Sequence, residues 1–161
     1  MAVTAPVRHK PSDAEIPEIH ALLHRAFASM DGRIDPPSSL HRLTPDDIAA
    51  HCLTGEVWSI GLPPDGCMFL SLKSDCLYLG KLAVDPSMQG NGIGRKLISL
   101  AEERCRAHGR LFLELQTRVE LVENHLAFGR MGFVVTGRTA HPGFDRPTSM
   151  TFRKMVARGA D

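Results

Sequence analysis

Apolar positions along this chain recur at two spacings, and each spacing marks an element. Ile16, Ile19, Leu23, Ala26, Phe27 and Met30 fall three or four apart, as on one face of a helix. That stretch follows Ser12-Asp13-Ala14-Glu15, which has the form of a capping box, and ends at Asp31-Gly32. Before it, Val3 to His9 reads as a short strand broken by Pro11. Thr44-Pro45-Asp46-Asp47 opens a second, shorter helix, with Thr as N-cap, Pro in the first turn and acids facing the helix dipole; it ends near Thr54-Gly55. The segment between the helices, Gly32 to Leu43, reads as an ordered loop.

The remaining chain alternates strand-like runs with two more helices. Val57 to Ile60 and Cys67 to Leu72 flank Pro63-Pro64-Asp65-Gly66, so they are expected to form a hairpin. Leu77 to Val84 is a strand, Gly92 to His108 a helix capped by Gly109, and Leu111 to Gln116 a further strand. That β-α-β unit makes its two strands parallel, with a right-handed crossover. A helix near Glu123 to Met131 stops at Gly132, and Phe133 to Ala140 and Thr148 to Val156 flank the turn from His141 to Pro147.

Composition narrows the class without naming an activity. A chain of 161 residues, 43% apolar and 23% charged, suits one globular domain over 1–161 with one core. Nineteen basic against eighteen acidic residues give no overall field that favours nucleic acid or an anionic membrane, so neither partner is expected. Cys52, Cys67, Cys76 and Cys105 show no metal spacing, and most lie in apolar runs, as thiols do in a reducing compartment. With no apolar leader at the N-terminus and no run near the roughly 20 apolar residues of a membrane span, a cytoplasmic location is expected.

The chemistry concentrates at one strand-to-helix junction. Gln89, Gly90, Asn91, Gly92, Ile93, Gly94 and Arg95 lie between the strand ending at Val84 and the helix after Gly92. Glycines there permit positive φ and close approach of a ligand, while the first helical N–H groups point outward, which makes an anion site suited to pyrophosphate. The G-x-G-x-G spacing matches neither the dinucleotide fingerprint nor a Walker loop. Read as Gln89-x-x-Gly92-x-Gly94 after Val84-x-Pro86, it resembles the acyl-CoA loop of the GNAT superfamily of N-acetyltransferases. The likeness covers most of the chain from Pro11 and is strongest from Leu77 to Phe133.

That resemblance implies an α/β fold with a single mixed, mostly antiparallel twisted sheet flanked by helices, its parallel fourth and fifth strands splayed. It implies acetyl-CoA as cosubstrate, CoA as product, and transfer of the acetyl group by direct attack of a primary amine, on a small molecule, peptide or protein, in a ternary complex. Homodimers are frequent in the family. Gln89 through Arg95 then hold the pyrophosphate, and the edge formed by Leu82, Ala83 and Val84 binds the pantetheine arm and polarises the thioester carbonyl. Asn124 and Phe128 stand in a segment similar to Asn-x-x-x-Tyr-x-x-x-Gly-Phe, where Asn124 contacts the pantetheine. Phe128 replaces the usual Tyr, general acid toward the thiolate, which makes a non-catalytic acyl-CoA-binding regulatory module the alternative.

Candidates for proton chemistry and acceptor binding follow. Tyr78, placed by simple alternation on the same strand face as Leu82 and Val84, stands where histone-type members keep a catalytic Glu. Glu114 resembles the base of the ribosomal-protein branch, and its substitution by Gln is expected to lower turnover more than CoA affinity. His20 and His24 lack the glutamate and third ligand of a zinc helix, so no metal is assigned. In GNAT folds the loop between the first two helices and the turn between the last two strands cover the acceptor. Here these carry Asp31, Arg33, Asp35, His41 and Arg42, and His141, Asp145 and Arg146. The acids would attract an acceptor ammonium and the arginines would pair with a carboxylate.

Overall fold

The computed structural model describes residues 5–156; residues 3 and 4 of the expected first strand lie outside them. Seven strands form one sheet: β1 Val7–Arg8, β2 Glu56–Ile60, β3 Gly66–Leu72, β4 Cys76–Val84, β5 Phe112–Arg118, β6 Val134–Thr139 and β7 Ser149–Met155. The helices are α1 Ile16–Phe27, α2 Pro45–Thr54, α3 Ile93–Ala107 and α4 Val122–Arg130. The spatial order is β1-β2-β3-β4-β5-β7-β6, and only β4 and β5 run parallel. The expected mixed sheet and the order of its elements are therefore both present. Among the described residues, no helix is long and apolar enough to cross a membrane.

Two apolar layers hold the helices on opposite faces of the sheet. Ile19, Leu22 and Leu23 of α1 and Ile48 of α2 pack on Val57, Cys67, Phe69 and Ala83. On the other face, Ile93, Leu97, Ile98, Ala101 and Cys105 of α3 pack on Leu77, Leu79, Leu113 and Leu115. The α2 cap forms as its sequence specifies, the Thr44 side chain accepting from Asp47 N–H and Asp47 accepting in return. The box expected at Ser12 does not form. The helix starts at Ile16, so its N-cap is Glu15, without a side-chain hydrogen bond, while Asp13 accepts from Lys10 N–H and His9 Nδ1 in the turn before it.

A buried acid ties α3 to the sheet. Glu56, 3% exposed, accepts from Arg104 through two oxygens, from His108 Nε2 at 2.6 Å and from Trp58 Nε1 at 2.8 Å. Burial alone would raise this carboxyl, but the bonds from Arg104, His108 and Trp58 outweigh it and bring its pKa to about 2. A depressed carboxylate stabilises the fold above its unfolded value and loses that contribution as pH falls toward 2. Glu56→Gln is therefore expected to cost about 2 kcal/mol at pH 7. Urea unfolding at pH 7, 4 and 3 checks this: the gap between wild type and variant should narrow with acidity, and a constant gap refutes the assignment.

Candidate functional site

β4 and β5 pair over only three positions, Cys76 with Phe112, Leu77 with Leu113 and Tyr78 with Glu114. Beyond Tyr78 they diverge, so the β5-facing backbone of Leu79 to Val84 has no strand partner. Within β4 the register to β3 slips: Phe69 pairs with Gly80 but Cys67 with Ala83, so β4 carries one extra residue there. Lys81 takes φ 49°, an uncommon conformation for a residue with a side chain. The bulge bends β4 away from β5 and opens the gap.

One extra residue also reverses the alternation after it. Leu82 and Val84 consequently pack on the α3 side with Leu77 and Leu79, while Ala83 faces α1. Tyr78 remains on the face opposite Leu77 and Leu79, so it does not share a face with Leu82 and Val84. Its ring lies under the Lys73 ammonium at 4.3 Å, and burial, then Glu114, raises its pKa.

A cleft of ≈ 280 Å³ occupies the gap. Leu79, Leu82 and Leu115 line it from the strands, and Thr117, Asn124 and Phe128 from the α4 side. Asn124 Nδ2 donates to Thr117 Oγ1 at 3.3 Å, and the Phe128 ring packs against Phe133 and Phe152. Opposite, Phe27, Met30, Ser38 and Leu40 enter from α1 and the segment after it. The glycine loop follows β4 at the end where the two strands have parted. Gly90 and Gly92 take φ 88° and 79°, and a Cβ added at either would meet no atom within 4 Å. Gly92 caps α3 without any side-chain hydrogen bond, leaving the first amides of the helix facing outward. Ile93 is buried against the core, so only its backbone is available to a ligand.

Of the residues expected to read the acceptor, the cleft takes in His141. The others pair among themselves or stand in solvent. Asp31 accepts from His41 at 2.9 Å, Asp35 from Arg146 at 3.2 Å, and Arg33 is bound by Glu123 at 2.7 Å. Arg42 and Asp145 are exposed outside the cleft. Asp35–Arg146 fastens the α1–α2 loop to the β6–β7 turn, so these charges shape the rim rather than the interior. His20 Nε2 donates to the Leu43 carbonyl at 2.8 Å, with the His24 ring against it, tying α1 to the segment before α2.

Glu114 does not line the cleft. It is 7% exposed beside a shallow depression over β5, β7 and β6, where it accepts from Lys73 Nζ at 3.0 Å and Arg153 Nε at 2.8 Å. Burial raises its pKa, but Arg153 and Lys73 prevail and hold it below the ordinary carboxylate range. Such a carboxylate is a weak base.

His141 is differently placed. Its backbone N–H donates to Thr148 Oγ1 at 2.9 Å, its Nδ1 meets the same oxygen, and Thr148 Oγ1 donates to the Thr139 carbonyl at 3.4 Å. A hydroxyl has one proton to give. With that proton on Thr139, Nδ1 carries the imidazole hydrogen and Nε2 keeps its lone pair. Burial first, then Arg118, lowers the His141 pKa against an opposing pull from Glu120, so the ring is neutral at pH 7.

Arg118 is the cleft residue that sequence reasoning passed over. It stands two positions past the expected end of its strand, in no motif. Only the folded loop, whose Pro36 and Pro37 carbonyls accept its N–H groups, brings it to the cleft.

The profile of the acetyltransferase (GNAT) family matches residues 11–133, so the chain belongs to that family of acyltransferases. Solved structures share its fold. The ribosomal-protein-S18-alanine N-acetyltransferase from Escherichia coli superposes with a TM-score of 0.70 at 16% identity, covering 98% of this chain and 97% of that one. The PaiA N-acetyltransferase from Thermoplasma acidophilum, in complex with coenzyme A, gives 0.75 at 13% identity over 94% and 99%. A GNAT-family acetyltransferase from Staphylococcus aureus Mu50 gives 0.73 at 16% over 95% and 100%. At these identities the likeness is one of fold. No curated protein matches the chain in sequence.

Proposed function

We propose that this protein is a single-domain N-acetyltransferase that moves an acetyl group from acetyl-CoA to a primary amine by direct attack in a ternary complex. The observation that carries the reading is the cleft between the diverging strands, together with an open glycine-lined helix N-terminus that follows the parted end of β4. The residues fit the cosubstrate. Backbone amides from Gln89 to Arg95 offer donors to a pyrophosphate, and with open space beside Gly90 and Gly92 the backbone there is free of side-chain cover. The unpaired edge from Leu82 to Val84 offers the pantetheine the hydrogen bonds a neighbouring strand would have made. Asn124 and Phe128 wall the same channel.

The bound thioester supplies an activated acyl carbon. The chain supplies position and charge. A β4 amide at the bulge is placed to donate to the carbonyl oxygen, where negative charge grows as the C–N bond forms. His141 Nε2 takes the proton from the attacking nitrogen, which becomes acidic as that bond forms. The C–S bond then breaks, and CoA leaves as a thiolate with a pKa of about 8.5, a tolerable leaving group although Phe128 has no proton to give. Glu114, with Lys73 and Arg153, braces the closed end of the gap.

The test separates an enzyme from a binding module. CoA binding is measured by calorimetry, and thiol release from acetyl-CoA is followed against a panel of small amines and peptides. Release that depends on an amine, with the acetylated amine found by mass spectrometry, supports the reading. Tight CoA binding with no release on any amine favours the regulatory module.

A further inference from the structure

Arg118 is a partly buried cation that closes no salt bridge among the described residues. Its Nη1 donates to the Pro36 carbonyl at 2.7 Å and Nη2 to the Pro37 carbonyl at 3.3 Å. Those bonds use two of the five guanidinium N–H groups, so three are left. Desolvation pushes its pKa down and prevails over opposing pulls from Glu120 and Asp35. Glu120 spends one oxygen on the Asp35 N–H, keeps the other buried without a hydrogen-bond partner, and closes no salt bridge with Arg118. Carbonyls fix the guanidinium in place but do not neutralise it.

The surroundings show which ligand it faces. Side chains alternate along β5: Thr117 meets Asn124 on the α4 side, whereas Arg118 meets Pro36 and Pro37 on the α1 side. Arg118 thus lies across the sheet from the channel assigned to the pantetheine. Among the described residues no aspartate or glutamate lines the cleft, whose lining includes Arg118, Lys81 and His141. The loop acids that would have drawn in a free ammonium are taken: Asp31 by His41 and Asp35 by Arg146. A polyamine or a lysine side chain would bring a further positive charge beside Arg118 and Lys81. The apolar wall of Phe27, Met30 and Leu40 leaves room beside Arg118 for a hydrocarbon side chain.

We infer that the acceptor is a small amine bearing its own carboxylate, an amino acid with an apolar side chain, and that Arg118 binds the carboxylate while the amine faces His141. The inference rests on the N-acetyltransferase reading for its reaction, though not for its binding site. A planar guanidinium with free N–H groups suits a carboxylate, and an acceptor lacking one leaves those N–H groups without a salt-bridge partner.

The experiment compares L-leucine, L-methionine and L-phenylalanine with their amides and with the amines made by removing the carboxyl group, each rate corrected to its free-base fraction. The acids should exceed both analogues in kcat/KM by on the order of 100-fold. In Arg118→Gln that ratio should fall to near 1, with Arg118→Lys in between because it keeps the charge and loses the fork. Analogues used as well as the acids, an unchanged ratio in Arg118→Gln, or a loss confined to the KM of acetyl-CoA would each overturn the inference. Circular dichroism melts show whether the variants are folded.

Calorimetry of the CoA-loaded protein with the same compounds reads the site without turnover. Binding of the acids, absent for the amides and lost in Arg118→Gln, upholds the carboxylate site even where no thiol is released, and only the enzyme reading then fails. No preferential binding of the acids refutes the carboxylate site itself.

Discussion

His141→Ala should lower kcat by about 10²–10³-fold while leaving CoA affinity nearly untouched. The ring acts on the acceptor nitrogen, so its removal spares the contacts that hold CoA. The pH profile gives the sharper reading. Protonated His141 cannot accept a proton, so the wild-type rate should fall on the acid side with a midpoint below the ordinary imidazole value of about 6.5. Arg118→Gln removes a positive neighbour and should move that midpoint upward. Thr148→Val, which removes the partner of Nδ1, should cost about tenfold by releasing the tautomer. Glu114→Gln separates the candidates: a larger loss of kcat there than in His141→Ala would return the base to β5.

Gly92→Val is expected to weaken CoA binding about 100-fold with only a small change in melting temperature. At φ 79° a β-branched residue is strained, and relief of that strain of about 1–3 kcal/mol turns the first amides of α3 off their axis. The core is spared, because a Cβ there meets no atom within 4 Å. S-acetylpantetheine, which lacks the pyrophosphate, isolates the cause. Its affinity should be equal in variant and wild type, so the whole loss falls on the phosphate contacts. An equal loss for both ligands would mean that the substitution disturbs the cleft, and that the glycine loop is not the anion site.

The elements and the glycine loop were legible in the sequence because each depends on local terms. Three- and four-residue spacing places Ile19 and Leu23 on one face of α1 whatever lies opposite, and Thr44 caps α2 through an atom three residues away. The strand-glycine-helix order from Val84 to Ile93 specifies an anion site before any partner is known. Register and pairing are not local. The bulge at Lys81 arises from the match of β4 to β3, and by adding one residue it separates Tyr78 from Leu82, which simple alternation had put together.

Charge partners lay further out of reach. Glu114 reads as a free carboxylate until Lys73 and Arg153, 41 and 39 positions away, close on it. Asp35 reads as an ammonium trap until Arg146, 111 positions on, takes it. The sequence by itself determined which segments fold and that a glycine loop joins β4 to α3, since those rest on neighbours along the chain. Only the tertiary structure decided that His141 and Arg118, rather than Glu114 and the loop charges, face the cleft. An ionisable side chain takes its role from what surrounds it in space, and those surroundings exist only once the chain has closed on itself.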